Sequence, residues 1–164
     1  MTTFVSVGNA TQPFGRLVHA VIALAPTLPQ PVIIQHGATP VAAAHCDCRS
    51  YVSMTEFESL VARAQLLILH AGAGSVIHAV RAGKLPIVMP RSAGLGEHVD
   101  DHQMEFSIEL ERAGKIVLVR EPADLAAAVE SVLSRPIQAQ ARSSESAMTR
   151  LVSDALARCA LGER

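Results

Sequence analysis

The chain has 164 residues, 49% of them hydrophobic and only 3% aromatic, with no Trp and a formal net charge of -1. That length suits one domain with a core of Ala, Val, Leu and Ile, while a near-neutral charge without a basic run excludes an electrostatic nucleic-acid footprint, and so few aromatics exclude base-stacking platforms. No apolar stretch reaches the ~20 residues of a bilayer span, the opening Met1-Thr2-Thr3-Phe4-Val5 lacks the marks of a signal peptide, and the three cysteines make no disulfide framework, so a cytoplasmic protein is expected.

In chain order, Phe4-Val5-Ser6-Val7-Gly8 predicts a buried strand that ends at glycine. Phe14, Leu17, Val18, Val21, Ile22 and Ala25 recur at spacings of three and four, one face of an amphipathic helix stopped by Pro26 and Pro29. Val32-Ile33-Ile34-Gln35 is a second strand, closed by His36-Gly37. Residues 38–50 have no period and predict a loop, and Ser50-Tyr51-Val52 a short strand. Within that loop His45-Cys46-Asp47-Cys48 reads as free thiols, because a structural zinc site needs a second ligand pair that the chain lacks.

Thr55-Glu56-Phe57-Glu58 fits a capping box that opens a helix burying Phe57, Leu60, Val61 and Ala64. Leu66-Leu67-Ile68-Leu69 is a strand, residues 75–82 a helix stopped by Gly83, residues 85–89 a strand, and residues 91–99 a polar loop. A helix over 100–113 ends at Gly114, Ile116-Val117-Leu118-Val119 is a strand, and Pro122 opens a helix that buries Leu125, Val129, Val132 and Leu133. Residues 135–142 form a linker to a last helix with Met148, Leu151, Val152, Ala155, Leu156 and Cys159 on one face. Apolar strands separated by helices predict one doubly wound, Rossmann-like α/β domain over 1–164, with a parallel sheet covered on both faces. Ligands of such sheets bind beyond the carboxyl ends of the strands, which singles out the loops at 8–12, 36–39, 70–75 and 90–98.

The most informative of these is His70-Ala71-Gly72-Ala73-Gly74-Ser75. Its glycines let a ligand approach the backbone, and free N–H groups at a helix start attract an anion. Ser75 is expected to cap the helix or to donate to a phosphate. No Gly-Lys-Ser/Thr follows, so this is not a Walker A loop, and the third glycine of the dinucleotide fingerprint is absent. Met89-Pro90-Arg91 followed by Gly96-Glu97-His98 is a second strand-end loop with polar groups suited to hydroxyls and a diphosphate. A ligand is expected between residues 72–75 and 91–103.

From His70-Ala71-Gly72-Ala73-Gly74-Ser75 through Gly83-Lys84-Leu85-Pro86-Ile87-Val88-Met89-Pro90-Arg91 to Asp101-His102-Gln103, the sequence resembles the C-terminal domain of family 28 glycosyltransferases. The start, Val5-Ser6-Val7-Gly8-Asn9 with Pro13-Phe14-Gly15-Arg16-Leu17-Val18, is similar to its stand-alone members, the catalytic subunits of the dolichol-linked N-acetylglucosaminyltransferase and of bacterial exopolysaccharide glucuronosyltransferases. The resemblance implies the donor-binding half of a GT-B fold, without cofactor or metal. It implies a UDP-sugar-binding subunit of a two-component inverting enzyme that acts on a lipid-linked saccharide in exopolysaccharide or related glycan synthesis. A membrane-anchored partner would supply the acceptor half and hold the chain at the inner face of the membrane. Donor-binding residues would be Gly8, Asn9, Gly72, Ala73, Gly74, Ser75, His78, Arg91, His98, His102 and Gln103, with no catalytic residue assigned in this chain. His78 stands where the family often carries a ribose-holding Glu. Arg91 is expected to read the carboxylate of a glucuronate donor, since a guanidinium fork grips both oxygens, the alternatives being a contact with the diphosphate or a pairing with Glu97 at the surface. The competing readings are a non-catalytic nucleotide-sugar-binding regulatory module and a dinucleotide-binding dehydrogenase domain, the latter weakened by the missing glycine.

Overall fold

A computed structural model describes residues 1–100 and 102–135. Its strands are β1 (Thr3–Ser6), β2 (Val32–Gln35), β3 (Asp47–Arg49), β4 (Leu66–His70), β5 (Ile87–Met89) and β6 (Val117–Leu118). Its helices are α1 (Gly15–Leu24), α2 (Met54–Arg63), α3 (Ala73–Arg81), α4 (His102–Arg112) and α5 (Leu125–Leu133). The strands form one sheet in the order β3-β2-β1-β4-β5-β6, with every pairing parallel. β1 occupies the centre, in register with Val32 to Gln35 on one side and Leu66 to Leu69 on the other. The expected doubly wound α/β architecture is the one observed.

Alternate strand residues face opposite layers, as the pleat requires. Val5, Ile34, Leu66, Ile68 and Met89 pack against Leu17, Val18 and Val21 of α1 and Leu125 and Val129 of α5. Phe4, Ile33, Leu67 and Leu69 pack the other way, against Phe57, Leu60 and Val61 of α2 and Ala79 of α3. Val88 continues that second layer with Val76 and Val80 of α3 and Phe106 and Leu110 of α4. Both faces are therefore covered, which is why the strands read as unbroken apolar runs.

Several boundaries differ from those expected. The stretch 38–50, predicted as loop, contains β3, and residues 50–52, predicted as strand, follow it without being one. β3 is an edge strand that pairs only with β2, and its Asp47 and Arg49 bind each other outside the sheet. A short charged edge strand has no apolar run to betray it. The cap of α2 is Ser53, whose Oγ accepts from Glu56 N at 3.2 Å, not Thr55, which sits exposed within the first turn. α3 begins at Ala73 with Gly72 as its cap, so Ser75 lies inside the helix and is not its cap. The predicted stops at Gly83 and Gly114 close α3 and α4, with Lys84 N donating to Ala79 O (3.0 Å) and Lys115 N to Leu110 O (2.9 Å). Pro122 opens a short 3-10 turn, Pro122–Asp124, that leads into α5. The expected last helix and all but the first residue of the expected linker lie outside the described residues.

The relocated cap gives a direct test. Ser53→Ala should cost about 1 kcal/mol of stability, whereas Thr55→Ala should stay within about 0.5 kcal/mol, both read from urea unfolding midpoints. The reverse ranking would restore the cap to Thr55.

Candidate functional site

The strand order turns back on itself between β1 and β4, so the connections leaving these two neighbours diverge to opposite sides and leave a crevice at their carboxyl ends. Gly8 lies on one bank. It has φ +73°, and its N–H donates to Gln35 Oε1 at 3.1 Å and Ser6 Oγ at 3.3 Å. Gln35 Nε2 in turn donates to Gly8 O (2.9 Å) and Ser50 O (3.1 Å), and Ser6 Oγ donates to Gln35 Oε1 (2.7 Å). This buried amide therefore ties the ends of β1, β2 and β3 together. On the other bank Gly72 caps α3 with no side-chain cap hydrogen bond, so no cap side chain accepts from the first N–H groups of the helix.

Between the banks stands His70, the last residue of β4 and 9% exposed. A Cβ on Gly8 would lie 2.5 Å from its ring, and one on Gly72 2.1 Å from Nε2, so the two glycines are the space the imidazole occupies. Its Nδ1 is 3.4 Å from Ser6 O, which assigns the proton to that nitrogen and leaves Nε2 as the acceptor. Burial first, and the Arg91 charge second, push its pKa down to about 4, so the ring is neutral at physiological pH.

Two clefts flank the start of α3. One, of about 290 Å³, is lined by Gly8, Asn9, Gly74, Ser75 and His78 together with Ser6, Gln35, Tyr51, Val52, Met54 and Phe57. The other, of about 220 Å³, is lined by Gly72, Ala73, His98, His102 and Gln103 with Ala71, Asp100 and Phe106. The structure thus divides ten of the eleven expected residues between two compartments that meet at the α3 N-terminus, where a single pocket between two loops was expected. In the first, His78 sits edge-on to the Phe57 ring at 6.2 Å and lies 3.9 Å from Glu58 Oε1. In the second, Gln103 Oε1 accepts from Arg91 N (3.1 Å), which orients its amide N–H groups away from that bond, and His98 Nδ1 lies 3.3 Å from Asp100 Oδ1.

Arg91 is the eleventh, and its expected place is corrected. It is 1% exposed and lines neither cleft. Its Nη1 donates to Gln12 O and Glu97 O, both at 2.9 Å, and Nη2 to Val7 O at 2.8 Å, while its guanidinium lies 4.8 Å from the centroid of the Phe14 ring. A fork already engaged by three carbonyls in the interior is not available to a sugar carboxylate. Nor does it pair with the Glu97 side chain at the surface. Glu97 instead makes a two-pronged ion pair with Arg16, Nε to Oε1 at 3.1 Å and Nη2 to Oε2 at 2.9 Å. The donor-binding residues expected from sequence did not include His70, which only opened the glycine loop, nor Gln35, Tyr51 and Asp100. The available signal for the first two was a polar residue ending an apolar strand just before a glycine turn.

Cys46 and Cys48 are free thiols, each pushed up in pKa mainly by burial. Among the described residues no group of three or more His, Cys, Asp or Glu side chains is placed to hold a metal ion, and no helix is long and apolar enough to cross a membrane.

Comparison with known proteins adds the following. The family model for the glycosyltransferase family 28 C-terminal domain matches residues 2–157. UDP-N-acetylglucosamine transferase subunit ALG13 of Yarrowia lipolytica (strain CLIB 122 / E 150) is 46% identical over 52 residues, 32% of this chain. That match spans only 24% of the relative's length. Among solved structures, the glycotransferase of kitacinnamycin superposes with a TM-score of 0.64 at 17% identity, covering 98% of this chain and 42% of the other. The calicheamicin glycosyltransferase CalG4 gives 0.64 at 18%, covering 94% and 39%. The NMR structure of ALG13 gives 0.62 at 19%, covering 92% and 94%. At these identities the structural likeness speaks to the fold.

The buried imidazole makes stability depend on pH. The folded pKa of His70 lies near 4 against an ordinary 6.5, so below pH 6.5 the unfolded chain takes up a proton that the folded chain refuses. Stability present above pH 6.5 is therefore lost on acidification, by about 2 kcal/mol between pH 7 and pH 5 from this residue. His70→Gln should lack that share of the loss in urea unfolding at the two pH values. An unchanged slope in the variant would place the proton uptake elsewhere.

Proposed function

The chain belongs to the glycosyltransferase family 28 C-terminal domain, and from that premise we propose that it is the UDP-sugar-binding, catalytic subunit of a two-component inverting glycosyltransferase. In this reading the acceptor is a lipid-linked saccharide of exopolysaccharide or related glycan synthesis, and a membrane-anchored partner supplies its binding half. The chain itself works at the cytoplasmic face.

One observation carries the reading: two clefts of different chemistry share one uncapped helix N-terminus at the point where the strand order reverses. A nucleoside diphosphate sugar has the same three-part plan. The larger cleft, with the Tyr51 and Phe57 rings and an apolar wall at Val52, suits a uracil and ribose, with His78 beside the ribose. The first N–H groups of α3 and the Ser75 hydroxyl suit the diphosphate and neutralise it without a metal, which also stabilises the leaving group as the glycosidic bond breaks. The smaller cleft, with Gln103, His98 and His102, suits sugar hydroxyls.

Support for a partner comes from the rim. Tyr51 and Met54 beside the larger cleft, and Leu95 and Val99 on the loop before α4, are 61–79% exposed. Large apolar side chains left exposed beside the larger cleft and on the loop that leads to the smaller one suit coverage by a second wall.

Gly74 supplies the test. A Cβ there meets nothing within 4 Å, so Gly74→Val should keep the fold while filling the space before the helix start. UDP at about a hundredfold over its Kd should stabilise the wild type by roughly 2.7 kcal/mol and the variant hardly at all. Equal stabilisation of both would place UDP elsewhere. The purified chain should bind UDP yet transfer no sugar until the partner is added. Robust transfer by the chain alone, free of co-purifying protein, would refute the two-component reading.

A further inference from the structure

We infer that the Arg16–Glu97 ion pair is a positioning lock that sets the sugar end of the donor site and leaves its nucleotide end untouched. The inference rests on the proposed UDP-sugar reading and deepens it.

The loop from Pro90 to His98 leaves β5 and forms one wall of the smaller cleft through His98. Its backbone is fastened at both ends by side chains from elsewhere. Arg16, the second residue of α1, reaches across to bind both Glu97 oxygens and also donates to Pro90 O (3.0 Å) and Arg120 O (2.6 Å). Glu97 Oε2 accepts in addition from Ser92 N at 3.0 Å, which closes the loop on itself. Arg91 holds Glu97 O from below, and its backbone N–H fixes Gln103 Oε1. The bonds of Arg16 and Glu97 fasten the loop that carries His98, whereas Arg91 also holds Val7 O and Gln12 O on the loop that leads to the larger cleft, so it is the ion pair and not Arg91 that distinguishes the two ends. Gly8, Tyr51, Ser75 and His78, which line the larger cleft, receive none of these bonds. The pair is largely enclosed, with side-chain exposures of 17% and 8%. Removing one member strands the other, whereas replacing both with apolar residues is often neutral for stability. Stability and loop geometry can therefore be separated.

The experiment measures Kd by calorimetry on the full chain for UDP, UDP-N-acetylglucosamine and UDP-glucuronate. It compares the wild type with Glu97→Gln and with the double variant Arg16→Met/Glu97→Met, the double serving where the single variant folds poorly. The lock predicts a Kd for UDP within about twofold of the wild type, while the ratio of UDP-sugar Kd to UDP Kd rises at least about tenfold, the scale on which misplaced binding groups register. Parallel loss of UDP and UDP-sugar affinity would reduce the pair to a general stabiliser and overturn the inference, as would unchanged ratios in a folded variant. Failure of the wild type itself to bind UDP would overturn the proposed function and this inference with it, a result distinct from either.

Discussion

Where parallel strands end, the backbone carbonyls run out of ladder partners and must be satisfied by something else. In this chain the carbonyl of Val7, just past β1, and those of Gln12 and Glu97 in the loops after β1 and β5 are collected by one guanidinium, that of Arg91. Burying a cation is costly unless its donors are met, and here the carbonyls and the Phe14 ring meet all but Nε, which has no partner among the described residues. Desolvation lowers the Arg91 pKa, and the nearby Glu97 carboxylate opposes that shift. The loops after β1 and β5 are thus stitched to each other before any ligand arrives. The same charge helps keep His70 neutral, and His70 fills the gap between Gly8 and Gly72. The shape of the crevice follows from this sequence of contacts.

The fold was legible wherever burial on both faces left an apolar run. β2 was read with its observed ends, and β1 and β4 to within two residues. The strand that escaped was β3, whose Asp47 and Arg49 face outward and carry no period. The cap of α2 escaped because Ser53-Met54-Thr55-Glu56 and Thr55-Glu56-Phe57-Glu58 both satisfy the same short pattern, and only backbone geometry separates them.

The site was legible as loops and less so as side chains. Position in a doubly wound sheet follows from the order of elements, so Gly8, Gly72, Gly74, His98 and Gln103 could be placed near a crevice from sequence. Direction could not. Arg91 follows a strand end just as a ligand-binding residue would, yet whether such a side chain rises into the cleft or folds beneath the loops depends on Val7 and Gln12, some 80 residues away in the chain. The division into two compartments was equally hidden, because it arises from α3 starting at Ala73 and projecting between them. These failures share a cause: each depends on contacts between distant segments, which local patterns do not encode.

The central claim is that one ligand lies across the start of α3, nucleotide on one side and sugar on the other. Amide chemical shifts of the isotope-labelled chain test it most directly. Titration with UDP should move Gly8, Asn9, Tyr51, Gly74 and Ser75, and a UDP-sugar should additionally move His98 and Gln103. Shifts confined to the opposite end of the sheet, around the groove lined by Lys84, Val132 and Arg135, or no shift at saturating nucleotide, would contradict the account.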